Sequence, residues 1–558
     1  MGNDFIFLLS STLLFMNNLL LFFPLLVCLF FIGCGTDTSL EDSTSLVPQI
    51  EVPGSKSKPM AYAKTIALPK LIEKAVEVAN VVKPGAQSTM IPMMAGMALG
   101  DPALVSVDPD APLTVLLFDN FKQSEPTFVL AIKLKPDSPV AKQAQTVGMK
   151  TIEKEGWTLA TMTPSLFDEV TDWSSVLSFV QKGPVSDIEV GVLLDALWKE
   201  MPDVENSISQ EIGSPSIAKL VQVVFEEFAS VDATKVELSL SAEEIMMRAT
   251  ASARKDSDLH VLFSSEPKPF SPESANCVSG GGWMDAVVNI DSDDLLQYVE
   301  SVSGRINEKD PEAKELVTRY LAIIREGTKM YDGQMAMSYG LAEEGNSLGF
   351  VQVGSTQASP SDLKQILSET VVLGKDMLSG MEALQSMGLK YDFEFEESGP
   401  VDGVEVFKLG MKMDAEDLEV KEVLSTLPYS NSNTFFAVLD GKYLAASSKD
   451  QFTELMRAVK TGKPVKNNLA EKLSLDEGEI MSWRLNIARY AQKVMSMVQL
   501  GGENELGQLM DGLLALNIPP VTGKFSLGKG RLSSEMRIPV KSIKAGVDYF
   551  ESATQSPF

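Results

Sequence analysis

Histidine is nearly absent: His260 is the only one in 558 residues. That removes most histidine-dependent chemistry: His-Glu-x-x-His zinc sites and multi-histidine metal centres need more than one, and a Ser-His-Asp triad could draw on His260 alone. Its context, Asp258-Leu259-His260-Val261-Leu262, reads as a strand or strand end with a solvated or hydrogen-bonded ring. Cysteine is scarce, with Cys28, Cys34 and Cys277 the only three. Positive charge is short too: 48 Lys and Arg stand against 76 Asp and Glu, for a formal net charge of −28. A surface of that sign repels nucleic acid and anionic lipid headgroups, so no nucleic-acid partner is expected. Before Cys34 there is no Lys or Arg at all, and the only charge is Asp4.

What the N-terminus does hold is an apolar run from Leu19 to Ile32, closed by Phe31-Ile32-Gly33-Cys34-Gly35. The string resembles the lipobox of bacterial lipoproteins, in which a small residue precedes a cysteine that is acylated and becomes the new N-terminus. The chain departs from that pattern twice. The basic n-region of a secretory leader is missing, and Phe31 stands where leucine is usual. A start at Met16 would leave Asn17-Asn18 as a short polar n-region. The rival reading is an uncleaved anchor, although the run contains Pro24 and is short of the roughly 20 residues a spanning helix needs. The resemblance implies a signal peptide over 1–33 and lipid on Cys34. It also implies a body in the cell envelope, facing periplasm or exterior and touching the membrane through acyl chains. Cys28 would leave with the leader, and Cys277, alone, would have no internal disulfide partner. Residues 34–59, polar and without periodicity, read as a flexible tether.

With 44% hydrophobic residues the body can bury a large core. Residues 264–282 contain Pro267, Pro269, Pro272 and Gly280-Gly281-Gly282. They read as a linker between an N-terminal half (60–263) and a C-terminal half (283–558). Three ordered internal matches point to a duplication. Glu155-Gly156-x-x-Leu159-Ala160 with Phe167 matches Asp440-Gly441-x-x-Leu444-Ala445 with Phe452. Leu238-Ser239-Leu240 and Ile245 to Ala251 match Phe525-Ser526-Leu527 and Leu532 to Ile538. Ser138-Pro139 with Gln143 resembles Ser359-Pro360 with Gln365. Ile245, Met247, Ala249 and Ala251 alternate with Arg248 and Thr250, as Met536 and Ile538 do with Glu535 and Arg537. Period-two alternation fits an antiparallel sheet with one covered and one wet face. The predicted fold class is α+β: two similar halves, each an antiparallel sheet with helices packed on one face. The body loosely resembles uncharacterised secreted bacterial proteins that carry such a Leu-Ala strand before an amphipathic helix, which implies no activity.

Met90, Met93, Met94 and Met97 recur at helical spacing. Methionine is first an adaptable core filler, then a lining for apolar grooves, then a soft ligand for Cu(I). The four are the candidate apolar groove. Ser361-Asp362-Leu363-Lys364, Tyr429-Ser430-Asn431 and Lys460-Thr461-Gly462 resemble, in order, the three motifs of penicillin-recognising serine enzymes, which implies Ser361 as a nucleophile. Against that, Lys460-Thr461-Gly462 follows the helical run Phe452-Leu455-Met456-Val459, and the internal match sets Val140 opposite Ser361. Asp108-Pro109-Asp110 lacks the features of a calcium loop. Asp291-Ser292-Asp293-Asp294 reads as a helix N-terminus. Cys277 reads as an accessible thiol in the linker. The expected function is a non-enzymatic, lipid-anchored envelope protein that binds or scaffolds, with no cofactor or metal. A carrier of apolar ligands is one alternative and an exported serine acyl-transfer enzyme another; the partner stays open.

Overall fold

The computed structural model describes residues 45–85, 87–118, 127–195, 227, 229–304, 311–341, 349–379, 389–415, 421, 431–491, 516 and 518–555. The first strands are β1 (Pro59–Ala67), β2 (Pro112–Phe118), β3 (Phe128–Ile132), β4 (Lys150–Lys154), β5 (Trp157–Thr161) and β6 (Ile188–Leu193). Then come β7 (Val231–Leu240), β8 (Glu244–Ala253), β9 (Met284–Asn289), β10 (Gln334–Leu341), β11 (Gly349–Ser355) and β12 (Leu389–Val401). Last are β13 (Val404–Ala415), β14 (Asn431–Leu439), β15 (Lys442–Ala446), β16 (Glu479–Leu485), β17 (Val521–Gly528) and β18 (Arg531–Pro539). The helices begin with α1 (Leu68–Val82), α2 (Gln87–Leu99), α3 (Pro139–Thr146), α4 (Pro164–Glu169), α5 (Ser174–Gln181) and α6 (Asp258–Phe263). They continue with α7 (Glu273–Cys277), α8 (Ser292–Gly304), α9 (Pro311–Met330), α10 (Pro360–Ser379), α11 (Lys449–Thr461) and α12 (Val540–Gln555).

Turn chemistry sets the hairpins. Glu155-Gly156, Asp402-Gly403 and Asp440-Gly441 each place both residues at positive φ. That is the two-residue type I′ turn, whose twist suits paired strands. The three turns close β4–β5, β12–β13 and β14–β15. Ser138 and Ser359 start helices instead, each followed by proline at the first helical position.

All eighteen strands belong to one antiparallel sheet, which overturns the expected α+β arrangement of two similar halves with a sheet each. The physical reason is that β18 pairs with β8, from Arg531↔Ser252 to Pro539↔Glu244. These are the strands that match each other in sequence. Their ladder is centred on Arg248 and Glu535, 287 residues apart. Instead of ending two separate sheets, the matched strands join one.

Two compact units, interleaved in sequence, divide the chain. One contains the described residues of 45–195, 229–254 and 531–555; the other contains Glu227 and those of 255–530. In the first the strands pair in the order β4-β5-β3-β2-β1-β6-β7-β8-β18. In the second the order is β12-β13-β14-β15-β11-β10-β9-β16-β17. The run β4-β5-β3-β2-β1-β6-β7 thus has the same connectivity as β14-β15-β11-β10-β9-β16-β17, a repeated pairing order.

The first unit packs Leu116, Phe118, Val129 and Leu159 of its strands against Phe167, Trp173, Val176 and Leu177. Val47, Ile50 and Val52 join this core, so the stretch expected to be a loose tether is packed from Val47 onward. The second unit buries both faces of β11, where every residue from Gly349 to Gly354 is buried. Phe350 packs with Leu363, Leu367 and Val371 of α10. Val351 and Val353 pack with Phe452, Leu455 and Met456 of α11. Helices therefore cover two faces here, not the single face expected. Residues 264–282 are not a bare linker: they carry α7, and Ala275 and Val278 are fully buried. His260 lies on helix α6, with its N–H on the Ser257 cap, and not on a strand.

Candidate functional site

The methionines form a face. With α2 turning about 100° per residue, Met90, Met93, Met94 and Met97 fall within about one quarter of its circumference. They are 49%, 50%, 62% and 62% exposed. The rest of the circumference holds α2 down. Gly96 is buried, and a Cβ there would come within 2.6 Å of the carbonyl oxygens of Asp101 and Pro102. Leu99 packs with Val107, Ile132 and Val140. The loop beneath is fixed by Asp101 Oδ2, which accepts from both the N–H and the hydroxyl of Ser106 (2.8 and 2.6 Å). Those Ser106 bonds hold the Asp101 carboxyl below its usual range. Gln87–Leu99 contains no charged residue. Core filling, the default reading of these methionines, is thus replaced by an open, neutral, thioether-rich face on a strongly acidic protein.

Ser361 sits in the first turn of α10, and the structure gives its surroundings a structural cause. Ser359 and Asp362 form a capping box: Asp362 N–H points to Ser359 Oγ (3.3 Å) and Ser359 N–H to Asp362 Oδ2 (2.8 Å). Ser361 Oγ lies 2.7 Å from Ser359 Oγ. Lys364 Nζ pairs with Glu397 at 2.5 Å. Lys460 Nζ donates to the carbonyl of Asp402, and Gly462 is the left-handed C-cap of α11. Neither lysine is shown reaching Ser361. Tyr429 and Ser430 lie outside the described residues, as do Cys28, Cys34 and the whole apolar leader.

Asp291 caps α8, accepting from the N–H groups of Asp293 and Asp294, as its sequence suggested. Asp108 accepts from Asp110 and Ala111 N–H in a turn and pairs with Lys133. Cys277 is half-buried at the end of α7, its Sγ donating to Glu273 O (3.4 Å), with burial pushing the thiol up. It is not the open linker thiol expected.

Sequence reading missed a buried charge on β1. Lys64 is 3% exposed. Its Nζ donates to the carbonyls of Phe179 (2.6 Å) and Lys182 (2.8 Å), which end α5, and lies 3.4 Å from the centroid of the Phe179 ring. A cation at a helix C-terminus is stabilised by the dipole and satisfies carbonyls the helix leaves over. Beside it, Tyr62 donates to Glu189 Oε1 (2.6 Å), and Glu189 Oε2 accepts from Val185 N–H (3.1 Å). Burial lowers Lys64 to about 8, against the opposing pull of Glu189. The only signal in the sequence was a lysine inside an otherwise apolar strand. An open cleft of about 600 Å³ lies nearby between α1 and the 183–187 loop. Its lysines are already bound, Lys70 to Asp110 and Lys74 to Asp187, both at 2.7 Å.

Among the described residues, no group of three or more His, Cys, Asp or Glu side chains is placed to hold a metal ion. Among the same residues no helix is long and apolar enough to cross a membrane. No protein family, curated protein or solved structure matches the chain.

Proposed function

We propose that the protein is a lipid-anchored envelope protein that acts by binding, with the methionine face of α2 as its contact surface for an apolar site on a protein partner. The observation that carries this reading is the exposure of Met90, Met93, Met94 and Met97 on a helix without charge. Positions i, i+3, i+4 and i+7 are the anchors an amphipathic helix lays into a groove, and methionine adapts to irregular surfaces. A net charge of −28 opposes contact with anionic headgroups, which favours a protein over a bilayer as the occupant. Membrane attachment is left to the lipid on Cys34, whose sequence context supports it.

Two experiments test this. Intact-mass analysis of membrane-extracted protein is expected to give a chain beginning at Cys34 and carrying acyl groups; an intact leader or an unmodified N-terminus would refute the anchor. A photo-crosslinker replacing Met94 in living cells is expected to give a discrete protein adduct that is absent when the same group replaces Val261, also exposed. Lipid adducts alone would replace the docking reading with the apolar-ligand reading, and no adduct would remove both.

A further inference from the structure

The second unit gathers three cations around a glycine run with a single buried carboxylate among them. Asp285, on β9, is 1% exposed. Its cross-strand neighbours are Arg484 of β16 and Ser338 of β10. Asp285 Oδ1 accepts from Ser338 Oγ (2.6 Å), Oδ2 accepts from Arg484 Nε (2.7 Å), and the Gly281 N–H lies 3.2 Å from both oxygens. One carboxylate is thereby spent on one arginine.

Lys472 and Arg489 lie against the same glycines. A Cβ on Gly280 would stand 3.4 Å from Lys472 Nζ, and one on Gly281 would stand 3.6 Å from Arg489 Nη1. Gly281 sits at φ +139°, where a side chain would be strained. Among the described residues no carboxylate is within ion-pair distance of either. Glu471, the nearest in sequence, is bonded through Oε1 to Asn468 Nδ2 (2.9 Å). Burial and then Arg484 push Lys472 down, with Arg489 adding to the effect and Asp285 and Glu471 opposing it. Arg489 also occupies the first turn of the helical stretch that begins after Asn486, where its N–H reaches Asn486 Oδ1 (3.1 Å). The helix dipole disfavours a cation there. Tyr490 is 45% exposed and its ring lies 5.5 Å from that of Trp283.

We propose that Lys472, Arg484 and Arg489 bind the phosphate group of a phosphate-bearing ligand whose organic part lies on Tyr490. Three cations less one carboxylate leave a surplus that a phosphate monoester, with a charge of about −1.5 to −2 at neutral pH, neutralises. Two guanidinium forks and an ammonium are the donors that phosphate oxygens take. The site does not depend on the methionine face.

Titration calorimetry on the full-length protein at low salt tests it, with inorganic phosphate, phenyl phosphate and soluble short-chain phosphatidic acid as probes. Inorganic phosphate binds, and Lys472→Gln with Arg489→Gln weakens it at least tenfold while leaving the melting temperature unchanged, since both side chains are exposed. Phenyl phosphate binds more tightly than inorganic phosphate, and Tyr490→Ser removes the difference. A preference for phosphatidic acid over phenyl phosphate identifies a lipid headgroup as the source; the reverse identifies a soluble ester. Absence of phosphate binding, or binding undiminished in the double variant, overturns the site. Equal affinity for phenyl and inorganic phosphate overturns the role of Tyr490.

Discussion

Replacing Glu535 by glutamine tests the β8–β18 ladder on which the single sheet rests. Glu535 is buried and accepts from Arg248 Nε (3.3 Å) across the ladder and from Arg537 Nε (2.6 Å) on its own strand. Hydrogen bonds to charged groups contribute about 1.5–3 kcal/mol each when screened little. The arginine side chains are 25% and 47% exposed, so solvent discounts both. The expected loss for Glu535→Gln is about 1–2 kcal/mol. At about 2–4 °C per kcal/mol for a domain of this size, melting falls by about 2–8 °C. Thermal unfolding of Arg248→Gln, Glu535→Gln and the double variant forms a cycle. The cross-ladder pair predicts a coupling of about 0.5–1 kcal/mol. Strictly additive losses would mean that the two residues are not opposite each other, and the reason given for one sheet would fail.

Three further perturbations probe the core, a cap and a charge. Phe452→Ala removes a fully buried ring beneath β11 and should cost about 3–5 kcal/mol in denaturant unfolding; a loss below 1 kcal/mol would place that ring outside the core. Ser359→Ala should cost about 1 kcal/mol by deleting the cap of α10, whereas Ser361→Ala should stay within about 0.5 kcal/mol; the opposite ranking would refute the capping box. Lys64 has its folded-state value lowered to about 8 from 10.5. Between those values the unfolded chain holds the proton that the folded one has lost, so stability rises as pH climbs through about 8. Denaturant titrations at several pH values should show that rise in the wild type and a flatter profile in Lys64→Met; a fall through the same window attributable to Lys64 would reverse the sign assigned to its burial.

Two of the hairpin turns were legible only as a matched pair of sequences, because their information is local. Asp440-Gly441 and Glu155-Gly156 need only two residues at positive φ, and the sequence shows both beside alternating strands. Ser138-Pro139 and Ser359-Pro360 were legible as a matched pair for the same reason. The joining of β8 to β18 was not, because alternation assigns a residue to a face and never names the neighbouring strand. Glu535 was placed on a wet face by that rule, yet it is buried once Arg248 stands opposite. The stretch at 264–282 looked like a linker from its prolines and glycines. Those residues fix turns, while Ala275 and Val278 between them supply the contacts that pack it down.

Charged residues within strands resisted reading for a related reason. Lys64 and Asp285 sit in β1 and β9, where sequence alone suggests either an interruption or a solvated position. Each is held by groups far along the chain, the α5 carbonyls for Lys64 and Arg484 with Ser338 for Asp285. The methionine stripe shows the converse. Its spacing revealed the helix, but residues of one apolar class on both sides of α2 conceal which side faces inward. Gly96 and Leu99 together set it: only a residue without a side chain admits the Asp101 and Pro102 carbonyls so close, Leu99 packs inward, and the four methionines are left exposed. An apolar face left open on an acidic protein is protected from self-association by charge repulsion between copies. On the proposed reading the acidic composition and the exposed methionines are complementary: one keeps copies of the molecule apart while the other is left open.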